Sequence, residues 1–254
     1  MSGGTTSRST AALSLTARLF RRLNELLTPR QCPWCNGPLG RDGDALGCAK
    51  CRARIQPIRP PLCRVCGLPF AAGDGGALCA DCAKKRPAYD MLRGTVTYAG
   101  AAAKTIKELK YYRYTGSLHA LARVLRAVEE LGVRWDDYDA LVPVPLHPKR
   151  LAERHFNQAR LLARHLGPGV PPVQTAWLER ARPTPPQAQL TDKERHKNVK
   201  HAFVVPAGAD VAGRAILLID DVASTGATLH ECAKILKRAG AVRVDAAVVA
   251  RAVR

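Results

Sequence analysis

Nine consecutive residues, Asp220-Asp221-Val222-Ala223-Ser224-Thr225-Gly226-Ala227-Thr228, carry the groups needed to hold a phosphorylated ribose. The run before them, Ile216 to Ile219, is wholly apolar and reads as a buried central strand. It ends in two carboxylates at its C-terminal edge, where open parallel sheets bind ligands. Carboxylates only accept hydrogen bonds, which suits the vicinal hydroxyls of a ribose. Gly226 removes a Cβ and lets backbone N–H groups approach a phosphate. The helix expected next adds unpaired N–H donors and a dipole favourable to a dianion. Ser224, Thr225 and Thr228 add hydroxyl donors at the same point. Diol acceptors and phosphate cradle lie side by side, as a ribose 5-phosphate requires. A capped turn would explain one or two of these residues, but not paired acids followed by a hydroxyl–glycine nest.

A second constellation is made of cysteines. Cys32, Cys35, Cys48 and Cys51 recur 31 residues later as Cys63, Cys66, Cys79 and Cys82. Each unit is C-x2-C, twelve residues, C-x2-C, with Gly40, Gly43 and Gly47 in one spacer and Gly73, Gly75 and Gly76 in the other. Two such bends supply the four thiolates of a tetrahedral zinc site. A disulfide framework would need a secreted chain. A redox dithiol explains one C-x2-C but not four in register. Pairing within a repeat lets each unit close alone; cross-bracing uses the same cysteines, and spacing leaves both open. Sites filled by four protein ligands are structural rather than catalytic. So small a module has little apolar core, and zinc binding is worth roughly 10–16 kcal/mol per structural site. Cys232 stands apart and reads as a buried small hydrophobe.

Other segments of the chain supply the elements that position these groups. Leu15, Leu19, Leu23, Leu26 and Leu27 have helical spacing and stop before Pro29. They predict a short amphipathic helix, docked on its own protein or on a partner or membrane surface. Beyond Pro87, strands are expected at Thr95–Tyr98, Ala140–Val144, Val173–Leu178, Ala202–Val205, Ala215–Ile219 and Val242–Val249. Helices are expected near 101–111, 117–131, 157–166 and 228–239. This alternation predicts an α/β fold, a mainly parallel sheet with helices on both faces. Loop 179–200 is proline-rich and shows no periodicity, so it is expected to be structureless. The expected division is a tail and helix at 1–30, a cysteine module at 31–88 and the α/β domain at 89–254.

The segment Ile216–Thr228 resembles the phosphoribosyl pyrophosphate signature of type I phosphoribosyltransferases. Three further segments narrow the resemblance to the ComF family, the competence-protein-F-like proteins. They are Val142-Pro143-Val144-Pro145-Leu146-His147-Pro148-Lys149-Arg150, then Arg154-His155-Phe156-Asn157-Gln158, and Arg182-x-Thr184-x2-Gln187 leading to Arg195-x2-Asn198-Val199. The cysteine module is similar to the double zinc ribbon at the amino end of that family. The resemblance covers nearly the whole chain. It implies a type I phosphoribosyltransferase-like domain after a double zinc ribbon, and phosphoribosyl transfer from phosphoribosyl pyrophosphate to an unidentified acceptor. It also implies magnesium with the donor, and roles for Asp220, Asp221, Arg182 and Gln187 in catalysis. Pyrophosphate would meet His147, Lys149, Arg150 and Arg195, unless 147–150 is only a solvated basic turn. Loop 179–200 would close over an oxocarbenium-like state that water would otherwise intercept. Asn157 fits an N-cap for the following helix. Two departures stand out: the family usually has Gly at position 155, and Thr at 223 or 224. Losing a hydroxyl at Ala223 is expected to weaken the cradle slightly.

Charge and composition bound the partners. Forty Lys and Arg against 21 Asp and Glu give a formal charge of +19. Two zinc tetrathiolates, each carrying about −2, bring it to roughly +15. Such a surface attracts the phosphates of nucleotides or nucleic acid. DNA or DNA-uptake proteins are candidate partners of the ribbon, although only Trp34 and Phe70 could stack on bases there. No run is apolar enough for a membrane span. Arg18, Arg21 and Arg22 interrupt any secretory core, so cytoplasm is expected; the Arg- and Ser-containing start also fits a transit peptide. Three functions follow: a phosphoribosyltransferase, a sensor that binds the ligand without turnover, or an interaction protein of DNA uptake.

Overall fold

The computed structural model describes residues 31–39, 46–70, 77–111, 117–185 and 191–253. The leucine-spaced segment 13–27 and five of the spacer glycines (Gly40, Gly43, Gly73, Gly75 and Gly76) lie outside the described residues. The strands are β1 (Leu92–Thr97), β2 (Ala140–Pro143), β3 (Glu179–Arg180), β4 (Phe203–Val204), β5 (Ala215–Ala223) and β6 (Arg243–Arg251). Four of them form a sheet in the order β1-β6-β5-β2, every pairing parallel. β3 and β4 make a small antiparallel ribbon beside it.

Successive side chains of a strand point to opposite faces. Leu217, Ile219, Ala247 and Val249 enter one apolar cluster, and Ile216, Leu218, Ala246 and Val248 enter another. Both faces of β5 and β6 are covered, which is why these strands read as continuous apolar runs. Helices Gly100–Tyr111, Leu118–Arg126 and Gln158–Arg164 pack on the first face, and helix Ala227–Arg238 on the second.

The cysteine units divide between the faces. Cys32, Trp34 and Ile55 belong to the first cluster, whereas Cys63, Val65, Cys66 and Cys82 belong to the second. The chain joining them runs antiparallel along the outer side of β1. Ile58 N–H donates to Thr95 O (2.9 Å) and Thr97 N–H to Gln56 O (2.8 Å). This covers an edge that would otherwise present unpaired backbone groups.

Four expectations change. Val173–Leu178 is no strand: a single bridge joins Val173 to Leu141. Pro171 and Pro172, just before it, have no N–H to extend the ladder. Loop 179–200 is not structureless, since it contains β3 and the helix Asp192–Val199. A capping box starts that helix, with Thr191 N–H donating to Glu194 Oε2 (2.7 Å). The basic turn at 147–150 opens another helix, Pro148–Arg154, with proline in its first turn and His147 Nδ1 accepting from Lys149 N–H (3.2 Å). The helix expected over 117–131 tightens to a 3-10 helix at Ala127–Leu131. Among the described residues no helix is long and apolar enough to cross a membrane.

Candidate functional site

At the C-terminal ends of the strands lies a cleft of about 430 Å³. β5 brings Asp220, Asp221 and Val222 to it, and the loop and helix beyond bring Ser224 and Thr228. The segment after β2 adds His147 and Arg150, and the helix Asp192–Val199 adds Arg195. Residues far apart in sequence therefore meet in one cavity.

The two carboxylates have different surroundings. Asp221 is buried (2% exposed), and its Oδ2 lies 2.9 Å from Lys110 Nζ. Its backbone N–H donates to Asp220 Oδ1 (2.9 Å). Burial and then the neighbouring Asp221 charge push the Asp220 carboxyl up to about 7, against the pull of Lys110. Burial would lower the Lys110 ammonium, but Asp221 and Asp220 outweigh it and raise it. One lysine thus neutralises part of a paired-acid site.

The loop beyond them turns sharply. Gly226 has φ +77°, and a Cβ there would sit 2.9 Å from the Tyr89 hydroxyl. Both facts favour glycine. Thr225 Oγ1 accepts from Ala227 N–H (3.2 Å), closing one donor of the helix start. Thr225 and Gly226 line a neighbouring cleft of about 500 Å³ with Tyr89, His196 and His230. The Ala223 and Ala227 side chains are buried in the second apolar cluster. A hydroxyl at 223 would therefore sit in the core, which corrects the expectation that its loss weakens the cradle.

The remaining expected residues separate. Lys149 lies in an adjacent groove with Pro183 and Glu153. Arg182 Nη2 donates to Asn198 O and Lys200 O (both 2.8 Å), and Asn198 Nδ2 donates to Pro185 O (3.0 Å). These bonds tie the base of the 179–200 segment together rather than reaching the cleft. Gln187 lies outside the described residues. Asn157 caps helix Gln158–Arg164, accepting from Ala159 N–H at 2.9 Å, while its Nδ2 donates to Val144 O (2.9 Å). It fixes the segment after β2 to that helix.

Five cleft residues were not legible in the sequence: Tyr98, Lys107, Lys110, Arg180 and Pro185. The i, i+3 spacing of Lys107 and Lys110 on one predicted helix was the available signal. Arg180 lies over the Phe203 ring at 5.3 Å and bonds Thr184; burial lowers its pKa.

The cysteines form two clusters, each within one repeat: Cys32, Cys35, Cys48 and Cys51, and Cys63, Cys66, Cys79 and Cys82. In each, the four sulfurs lie within 4.8 Å of one another. The Cys35–Cys48 and Cys66–Cys79 sulfurs are 3.8 and 3.5 Å apart. Tetrahedral Zn–S bonds of about 2.3 Å require about 3.8 Å. Backbone N–H groups of Cys48 and Cys79 approach the Cys32 and Cys63 sulfurs at 3.4 Å. Burial pushes the Cys63 thiol up, but N–H groups of Cys79, Cys66 and Val65 bring it down to about 6. Four converging sulfurs at tetrahedral spacing fit structural zinc. Cys232 is fully buried in the second cluster.

Residues 23–83 match the model of the double zinc ribbon domain, and residues 158–253 that of the phosphoribosyl transferase domain. The DNA utilization protein YhgH of Salmonella typhi is 33% identical over 229 residues, covering 87% of this chain and 96% of that protein. Competence protein F of Haemophilus influenzae is 29% identical over 229 residues, covering 87% and 97%. Competence protein ComFC of Bacillus subtilis is 30% identical over 200 residues, covering 76% and 78%. This chain belongs to the ComF family. The ComF departure at position 155 now has a geometric meaning. His155 ends helix Pro148–Arg154 at φ +67°, the left-handed region that glycine adopts freely.

Proposed function

We propose that this ComF protein binds phosphoribosyl pyrophosphate with magnesium in the 430 Å³ cleft and transfers the phosphoribosyl group to an acceptor nucleophile. The observation that carries the reading is the meeting of Asp220, Asp221, Ser224 and Thr228 with His147, Arg150 and Arg195 in one cavity. Asp220 and Asp221 accept from the ribose hydroxyls, and Ser224 and Thr228, the members of the hydroxyl–glycine run that line this cleft, hold the 5-phosphate. His147, Arg150 and Arg195 balance the pyrophosphate charge, with Lys149 at the rim. The acceptor's lone pair forms a bond to the anomeric carbon as the carbon–oxygen bond to pyrophosphate breaks. Pyrophosphate leaves with that electron pair, and the acceptor's proton goes to solvent or a base. Among the described residues the clusters of three or more metal-ligating groups are both cysteine sites. Magnesium would be held largely by the donor's own oxygens with one or two carboxylates, and would neutralise charge on the departing group. Arg182, by bracing the 179–200 segment, positions Arg195, and Gln187 would meet the pyrophosphate or the acceptor, as the family resemblance implies. Relatives named for competence and DNA utilization support a role in DNA uptake or use, in which the ribbon would face DNA or uptake proteins. Eight zinc-binding thiols suit a reducing cytoplasm.

The test is calorimetry with phosphoribosyl pyrophosphate and magnesium on the wild type and on Asp220→Asn/Asp221→Asn, followed by pyrophosphate release across candidate acceptors. Binding lost in the double variant with its fold intact is the expected result. Unchanged binding sinks the site; binding without release under any acceptor favours the sensor.

A further inference from the structure

Arg251, the last residue of β6, is buried (3% exposed) between the phosphate-side loop and the second cysteine unit. Its Nη1 donates to Ala223 O (2.9 Å) and bonds Ser224 O and Ala252 O. Its Nε reaches Cys66 O at 3.4 Å. One guanidinium therefore joins backbone carbonyls of the loop and of a zinc knuckle, using the spread of donors that a lysine lacks. β1 makes room for it. A Cβ on Gly94 would lie 2.9 Å from Arg251 Cβ and 3.3 Å from its backbone nitrogen. The same knuckle is fixed to β1 from the other side: Leu92 N–H donates to Val65 O (2.7 Å), and Arg93 Nη1 to Arg64 O (3.2 Å). Cys66, Cys79 and Cys82 line the cleft that Ser224, Thr225, Gly226 and Arg251 also line. Among the described residues the hydrogen bonds of this guanidinium go to carbonyls, and a tetrathiolate zinc of about −2 in the second cysteine unit would supply its counter-charge. The first cysteine unit packs on the opposite face of the sheet.

We infer that Arg251 is a positioning residue that couples the second zinc site, and not the first, to the geometry of the phosphate-side loop. The inference deepens the phosphoribosyl pyrophosphate reading and rests on it for the ligand, but the clamp has its own readout. Coupling is reciprocal, so a ligand that orders the loop must also hold the second zinc.

The experiment is zinc release from the full chain to a chromogenic chelator, with and without phosphoribosyl pyrophosphate and magnesium. Hydrogen exchange of amides 223–228 is read alongside. In the wild type the ligand should slow release of one of the two zincs about tenfold. Arg251→Gln should remove that protection and, without ligand, speed loop exchange about tenfold. Arg251→Lys, keeping the charge but not the spread of donors, should resemble the glutamine variant. Gly94→Ala, which displaces the arginine without deleting it, should also speed loop exchange. Wild-type loop exchange in both Arg251→Gln and Gly94→Ala overturns the inference whatever the ligand does. So does equal ligand protection of both zincs. Faster loop exchange in the variants of a protein that binds no phosphoribosyl pyrophosphate upholds the clamp and sinks the ligand reading instead.

Discussion

Asp220 stands next to Asp221 in sequence, and while Lys110 pairs with Asp221 at 2.9 Å, burial and then the Asp221 charge raise the Asp220 carboxyl. A carboxyl raised from 3.8 to about 7 keeps a proton in the folded chain that the unfolded chain releases. Its contribution to stability is thus present below about pH 4 and is lost as pH rises through about 7. Asp220→Asn should therefore raise the thermal midpoint of the ligand-free protein at pH 8 while removing ligand-induced stabilisation. A lower midpoint would contradict the burial argument. In the wild type, ligand affinity should rise between pH 6 and pH 8 as Asp220 ionises, measured by calorimetry. The acids and the hydroxyl–glycine run were legible because their chemistry is contiguous. Lys110 was not, since sequence gives a helix its faces without saying which loop lies opposite.

Among the elements, the two central strands were readable from apolar runs buried on both sides. The short helices were not, because their signals are caps rather than periodicity. Thr191 with Glu194 marks Asp192–Val199, and Pro148 after His147 marks Pro148–Arg154. Both lie in segments whose basic and proline-rich composition pointed to loops. His155 carries the cost of ending the second of these helices in a left-handed conformation. His155→Gly should stabilise the protein by about 1 kcal/mol in urea unfolding, and destabilisation would show that the imidazole makes a compensating contact.

For the whole molecule, the cysteine units are built into the sheet domain. Trp34 and Ile55 complete one apolar cluster and Val65 the other. Chelation should release two zincs per chain. It should cost several kcal/mol, lowering the thermal midpoint of the sheet as well as of the ribbon. A sheet transition unmoved by chelation would refute this integration. The repeat period revealed the zinc ligands; nothing in it revealed that each unit takes a different face.

The strand order β1-β6-β5-β2 also governs how the chain is made. Both outer strands leave the ribosome before either inner strand exists, so neither has its sheet partner during most of synthesis. The nascent protein carries β2 apart from β1 and the zinc knuckles bonded to β1 until β5 and β6 arrive to join them. Folding is then a late, collective closure in which the strand bearing Asp220 is also the one that brings β2 into the sheet.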